Sequence, residues 1–106
     1  MDIKTVTEPT EKQILAASAM LKLASDPTRL KILWALLHGE HSVNELAEHV
    51  GAQPGAVSQH LAKLRAAQVV EIKRNGNKIF YKTDNKYIRK AIEYAFRFAD
   101  VSIKRN

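Results

Sequence analysis

The stretch from Ser42 to Thr83 constrains the fold most, because its hydrophobic period changes once and each half carries its own boundary signals. Ser42-Val43-Asn44-Glu45 has the spacing of a reciprocal helix cap, a hydroxyl followed three residues later by a carboxylate. A short helix with Leu46, Ala47 and Val50 inward should follow, closed by Gly51. Pro54 then opens a second helix, since proline's missing N–H would have no partner in a first turn. Its inward positions are Val57, Leu61 and Leu64. After Gln68 the period drops to two: VVEIKR, NGN and KIFYKT predict a strand pair around an Asn-Gly turn.

The flanks are helical. From Thr10, Ile14, Leu15, Ala17, Ser18, Leu21 and Ala24 recur at steps of three and four. Ser25-Asp26-Pro27 ends that helix and opens another, with Asp26 as cap and Leu30, Leu33, Trp34 and Leu37 as its apolar face until His38-Gly39. Asn85 or Asp84 can cap a last helix striped by Ile88, Ala91, Ile92, Ala95, Phe98 and Ala99. The order is four helices, a hairpin and a helix: mainly α with a small β-hairpin, a winged helix-turn-helix. The 106 residues fit one domain, expected over 10–102, with a flexible N-terminal segment at 1–9 and a C-terminal tail at 103–106.

Charge narrows the partner. The chain has 17 Lys+Arg against 11 Asp+Glu, a formal +6, which favours an acidic partner, most often nucleic acid. It has no cysteine, so these residues supply no disulfide, thiolate metal site or thiol switch. The start MDIKTVTEPTEKQ lacks the basic-then-apolar signature of a signal peptide, and no apolar run approaches the roughly 20 residues that span a bilayer. A cytoplasmic location and no membrane partner are expected.

The second short helix presents an arc opposite its core face with Gln53, Pro54 and Gly55 at its start, then Ser58, Gln59, Ala62 and Lys63, with His60 and Arg65 at the margins. Small polar groups at a helix N-terminus suit end-first entry into a major groove. Serine and the helix N–H groups can hold phosphate, while glutamine can pair with adenine. The alternative is an ordinary solvated face. The hairpin tip, Lys73-Arg74-Asn75-Gly76-Asn77-Lys78, carries three cations and no apolar residue. It can touch backbone phosphate or place an arginine in the minor groove; the alternative is a solubilising turn.

Catalysis is not expected. Ser58 and His60 stand two apart on a helix, so their side chains diverge by about 200° and cannot share a hydrogen bond. No acid lies nearby to orient the histidine. His38, Glu40 and His41 could seed a zinc or nickel site, with His49 a further candidate. The segment crosses a helix end and Gly39, however, so convergence is not implied. No cofactor and no bound metal are expected.

Taken together, DPTRLKIL at 26–33, ELA at 45–47, VSQHLAKLR at 57–65 and VVEIKRNGNKIFY at 69–81 resemble the ArsR/SmtB family of bacterial winged helix-turn-helix repressors. The resemblance runs from about residue 14 to residue 100. It implies a homodimer joined through the first and last helices, with Ile14, Leu15, Leu21, Ile88, Ala91, Ile92, Ala95, Phe98 and Ala99 at the interface. It also implies operator DNA of dyad symmetry, released by an inducer that is often a metal. Two recognition helices about 34 Å apart would match one turn of DNA. The family's thiolate site needs cysteines beside Glu45-Leu46-Ala47, and its last-helix zinc positions fall here on Asn85, Tyr87, Phe98 and Val101. An amide, a phenol and two apolar side chains cannot make that site. The signal expected is therefore a small organic molecule, a partner protein or the protein's own concentration.

Overall fold

The computed structural model describes residues 7–105. Of the segment expected to be flexible at 1–9, residues 1–6 lie outside that range. The elements are α1 (Glu11–Ala24), α2 (Pro27–Leu37), α3 (Val43–Val50), α4 (Pro54–Ala66), β1 (Glu71–Asn75), β2 (Lys78–Lys82) and α5 (Lys86–Arg105). This is the winged helix-turn-helix order read from the sequence. α5 continues to Arg105, so residues 103–105 of the expected tail are helical.

Local chemistry sets the helix starts. Asp26 accepts from the Arg29 N–H at 3.0 Å, with Pro27 in the first turn. Ser42 and Glu45 form their reciprocal cap at 3.2 and 2.8 Å. Thr10 and Gln13 make a second such box, a signal the sequence carries but the hydrophobic pattern does not show. Asn85, not Asp84, caps α5, its amide oxygen accepting from Tyr87 and Ile88 N–H.

The core joins Ile32, Leu33 and Leu36 of α2 to Leu46 and Val50 of α3, Val57, Leu61 and Leu64 of α4, and Ile88 and Ile92 of α5. The inward sets expected for α3 and α4 are the buried ones. α2 corrects the expectation. Its buried residues are Ile32, Leu33, Ala35, Leu36 and Leu37, while Trp34 stays 42% exposed. α2 packs against α1, α3, α5 and β2, so its apolar band is wider than one stripe, and Trp34 falls outside it. Two guanidinium groups fasten the helices to one another. Arg29 Nε donates to the Leu23 carbonyl at 2.9 Å, and an Arg89 Nη donates to the Leu37 carbonyl at 2.8 Å, each satisfying a helix C-terminus.

α4 ends in a left-handed turn at Gln68, φ +60°. Val69 N–H reaches the Leu64 carbonyl and Gln68 N–H the Arg65 carbonyl, both at 2.9 Å, the paired bonds of a Schellman cap. The chain then enters an antiparallel hairpin in which Ile72 pairs with Tyr81, Arg74 with Ile79 and Asn75 with Lys78. Asn75 thus closes the ladder, and the two-residue turn is Gly76-Asn77, one place beyond the expected Asn-Gly. Gly76 takes φ +66°, which a first turn position of type II′ requires.

Candidate nucleic-acid interface

α3 and α4 are joined by a three-residue turn in which Gly51 adopts φ +71°, a conformation that costs glycine little. That turn brings the buried faces of the two helices together and leaves the opposite arc of α4 in solvent. Gln53, Pro54, Gly55, Ser58, Gln59, Lys63 and Arg65 are all exposed. His60 is half-buried at the margin and lies close enough to Asp26 for its charge to act on that carboxyl. The Arg29 N–H is the main cause holding Asp26 below the usual carboxylate range. Gln53 makes no side-chain cap, so it does not occupy the N–H groups of the first turn of α4.

The wing follows α4 after four residues. Its base is fixed by Thr83, whose buried hydroxyl donates to the Val69 carbonyl at 2.7 Å. His41 pairs with Tyr81 through two backbone hydrogen bonds of 3.1 and 2.8 Å, an isolated antiparallel bridge that ties the segment before α3 to β2. Ile72 and Tyr81 are partly buried, and beyond them Lys73, Arg74, Asn75, Asn77 and Lys78 are exposed. Lys73 bonds Glu40 at 3.2 Å. Neither Arg74 nor Lys78 has a carboxylate partner among the described residues. Lys82 bonds Asp84 at 3.0 Å, which raises its pKa. The exposed arc of α4 and the free cations of the wing thus belong to consecutive segments joined by one fixed turn. Such a pairing can bind a polyanion along one element and read or grip it with the next.

The histidines do not converge. His38 lies against Trp34, ring centroids 4.4 Å apart, with Nδ1 2.7 Å from the Trp34 carbonyl oxygen. His49 is stacked parallel to the same indole, ring centroids 6.0 Å apart at 4°. Their place in the fold is an aromatic cluster, and no group of three His, Asp or Glu gathers at ligand distance among the described residues.

The surface expected at a dimer seam divides. Ile88 and Ile92 are 7% and 3% exposed, buried in the protomer's own core, and have little surface left for a partner. Ala91 and Ala99 are half-buried and Ala95 exposed. Ile14, Leu15, Leu21 and Phe98 are exposed, Phe98 by 74%. The exposed apolar line of α5 runs through Tyr87, Tyr94, Phe98 and Val101. With Ala91 these positions are spaced four, three, four and three, the rhythm of a helix–helix seam. No described helix is long and apolar enough to cross a membrane.

Comparison with known proteins agrees with this architecture. The family model for the bacterial regulatory protein, arsR family, matches residues 26–71, from the Asp26 cap to the first residue of β1. The HTH-type transcriptional regulator KmtR of Mycobacterium tuberculosis is 43% identical over 82 residues, 77% of this chain and 63% of KmtR, so the chain spans less than two thirds of that relative. The transcriptional repressor SdpR of Bacillus subtilis is 33% identical over 79 residues, 74% of this chain and 88% of SdpR. The crystal structure of NolR from Sinorhizobium fredii superposes with a TM-score of 0.78 at 30% identity, covering 87% of this chain and 96% of that one. With the winged helix-turn-helix order, the family segment and these relatives in agreement, the chain belongs to the arsR family of bacterial regulatory proteins.

Proposed function

We propose that the chain is a sequence-specific, DNA-binding transcriptional repressor that acts as a homodimer. The observation that carries this reading is the exposed polar arc of α4 set directly before a wing with unpaired cations. Ser58 and the first-turn N–H groups hold phosphate, Gln59 reads a base edge, Lys63 and Arg65 line the flank, and Arg74 and Lys78 grip the backbone or enter the minor groove. The half-buried His60 contributes at the edge of this surface. The similarity to SdpR, a transcriptional repressor, supports the same role.

Dimerisation follows from what the protomer leaves uncovered. α1 has no buried residue, and α5 buries Ile88 and Ile92 in its first two turns and nothing beyond them among the described residues. Helical stability in proteins comes mainly from packing an apolar face, so two such helices need a partner. A second copy placing its α1 and α5 against them supplies it, and also presents two α4 arcs to a dyad-symmetric operator. The signal is not metal at the family's cysteine or last-helix positions, where this chain has no thiol and no histidine.

The test is a set of single substitutions titrated against the DNA upstream of the protein's own coding region and against base-substituted versions of it. Gln59→Ala should relax preference at one position, whereas Lys63→Ala should weaken binding to every sequence alike. A uniform loss from both would show that Gln59 reads no base.

A further inference from the structure

We propose that the apolar pocket between α1, α2, α4 and α5 is a binding site for a small, uncharged, apolar molecule of one-ring size, and that its occupation is sensed by α4. The cavity measures about 180 Å³. Leu21 and Ala95 on its rim are exposed, so it is a half-open pocket whose floor reaches the protomer core. Its deep wall is made by Leu33, Leu64 and Ile92, exposed by 2%, 0% and 3%. Small side chains create it: Ala24 on α1 and Ala91 and Ala95 on α5 stand where larger residues would fill the gap. Met20, a flexible and polarizable side chain, completes the α1 wall and can adapt to different shapes.

The lining specifies the ligand. No charged residue faces the cavity, and its one polar side chain, Ser25, donates its hydroxyl to the Lys22 carbonyl at 2.7 Å. Water needs two to four polar partners to be held, and a lining this apolar offers few, so the pocket favours an apolar occupant. An uncharged one-ring hydrocarbon or a similar compact apolar molecule fits both the volume and the walls.

The same walls connect the site to the DNA surface. Leu64 lies on the inner face of α4, and Val69 closes the Schellman turn that joins α4 to the wing; both line the cavity. Leu21, Ala91 and Ala95 line its outer side, on the face assigned above to the dimer. A molecule bound there presses at once on the joint between recognition helix and wing and on the seam that spaces the two recognition helices. This second half rests on the DNA-binding reading.

Toluene is the probe. Titrated into the full chain, it should give saturable shifts in the methyl NMR signals of Leu33, Leu64 and Ile92. Ala24→Leu, which fills the space, should abolish those shifts without lowering the urea midpoint; Ala24→Met serves if leucine does not fold. Saturating toluene should change promoter affinity by a factor of about 5 to 150, the usual range of coupling between sites. Absence of saturable shifts overturns the site, and shows that the space closes or is filled by the second copy. Saturable shifts with unchanged promoter affinity overturn the coupling. A protein that binds toluene but no promoter DNA overturns the proposed function and leaves the site standing.

Discussion

Phe98→Ala separates the two kinds of apolar residue on α5. Phe98 is 74% exposed in the protomer, so about three quarters of its burial remains to be gained when a partner covers it. Full burial of a phenylalanine side chain is worth about 1.5–3 kcal/mol, leaving about 1–2 kcal/mol per copy. A symmetric dimer counts the residue twice, about 2–4 kcal/mol in all, which at 1.4 kcal/mol per tenfold weakens association by about 30- to 1000-fold. Sedimentation equilibrium over a range of concentrations measures this directly. Ile92→Ala makes the contrast, because Ile92 is 3% exposed and belongs to the protomer core. It should cost about 2–5 kcal/mol of unfolding free energy. A Phe98→Ala protein whose dimer constant lies within about twofold of the parent's would refute the assignment of the Tyr87–Tyr94–Phe98–Val101 line to the seam.

Three further outcomes are expected. Gln68→Gly should raise stability by about 0.5–1 kcal/mol in urea unfolding, because glycine avoids the cost of φ +60° and pays part of the gain back in chain entropy. Asp26 and Glu45 are both held below their ordinary values of 3.8 and 4.5, chiefly by backbone N–H donors. A depressed folded-state pKa adds stability that is present above the unfolded value and lost as pH falls through the folded one, so the melting temperature should decline below about pH 4.5. Glu45→Gln should flatten part of that decline; an unchanged acid profile would mean that the cap carries none of it. Arg74→Ala should lower affinity for all DNA sequences and reduce the salt slope by about one, while Lys73→Ala should do less, since Lys73 is already held by Glu40. Equal losses would show that the ion pair opens on binding.

The parts legible in the sequence were those decided by local rules. The Ser42–Glu45 box, Asp26 before Pro27, and the inward sets of α3 and α4 all depend on residues within one or two turns. α2 was misread at Trp34 because a helix packed on several sides has no single stripe, and period alone cannot tell which neighbour takes which face. The same ambiguity applies to Ile88 and Ile92, expected at the seam and buried here in the protomer's core. The turn shifted by one residue because Asn-Gly and Gly-Asn are both good hairpin turns and only the strand register chooses between them. Gln68 gave no signal, since a left-handed cap without glycine looks like any polar residue. The guanidinium caps from Arg29 and Arg89 join separate helices and exist only in three dimensions. On the candidate DNA surface, the exposed arc of α4 was legible as the complement of its core face, but the electrostatic effect of His60 on the Asp26 carboxyl was not.

The central claim, that α4 and the wing of a dimer bind DNA, is tested most directly by the salt dependence of binding to the protein's own upstream DNA. Fluorescence anisotropy with a labelled duplex between 50 and 200 mM salt measures the slope of log affinity against log salt. Six to ten phosphate contacts predict a slope of about −5 to −9, a loss of about 10³–10⁵ in affinity over that range, with a scrambled duplex bound far more weakly. A slope near zero, or equal affinity for the scrambled duplex, would contradict the account.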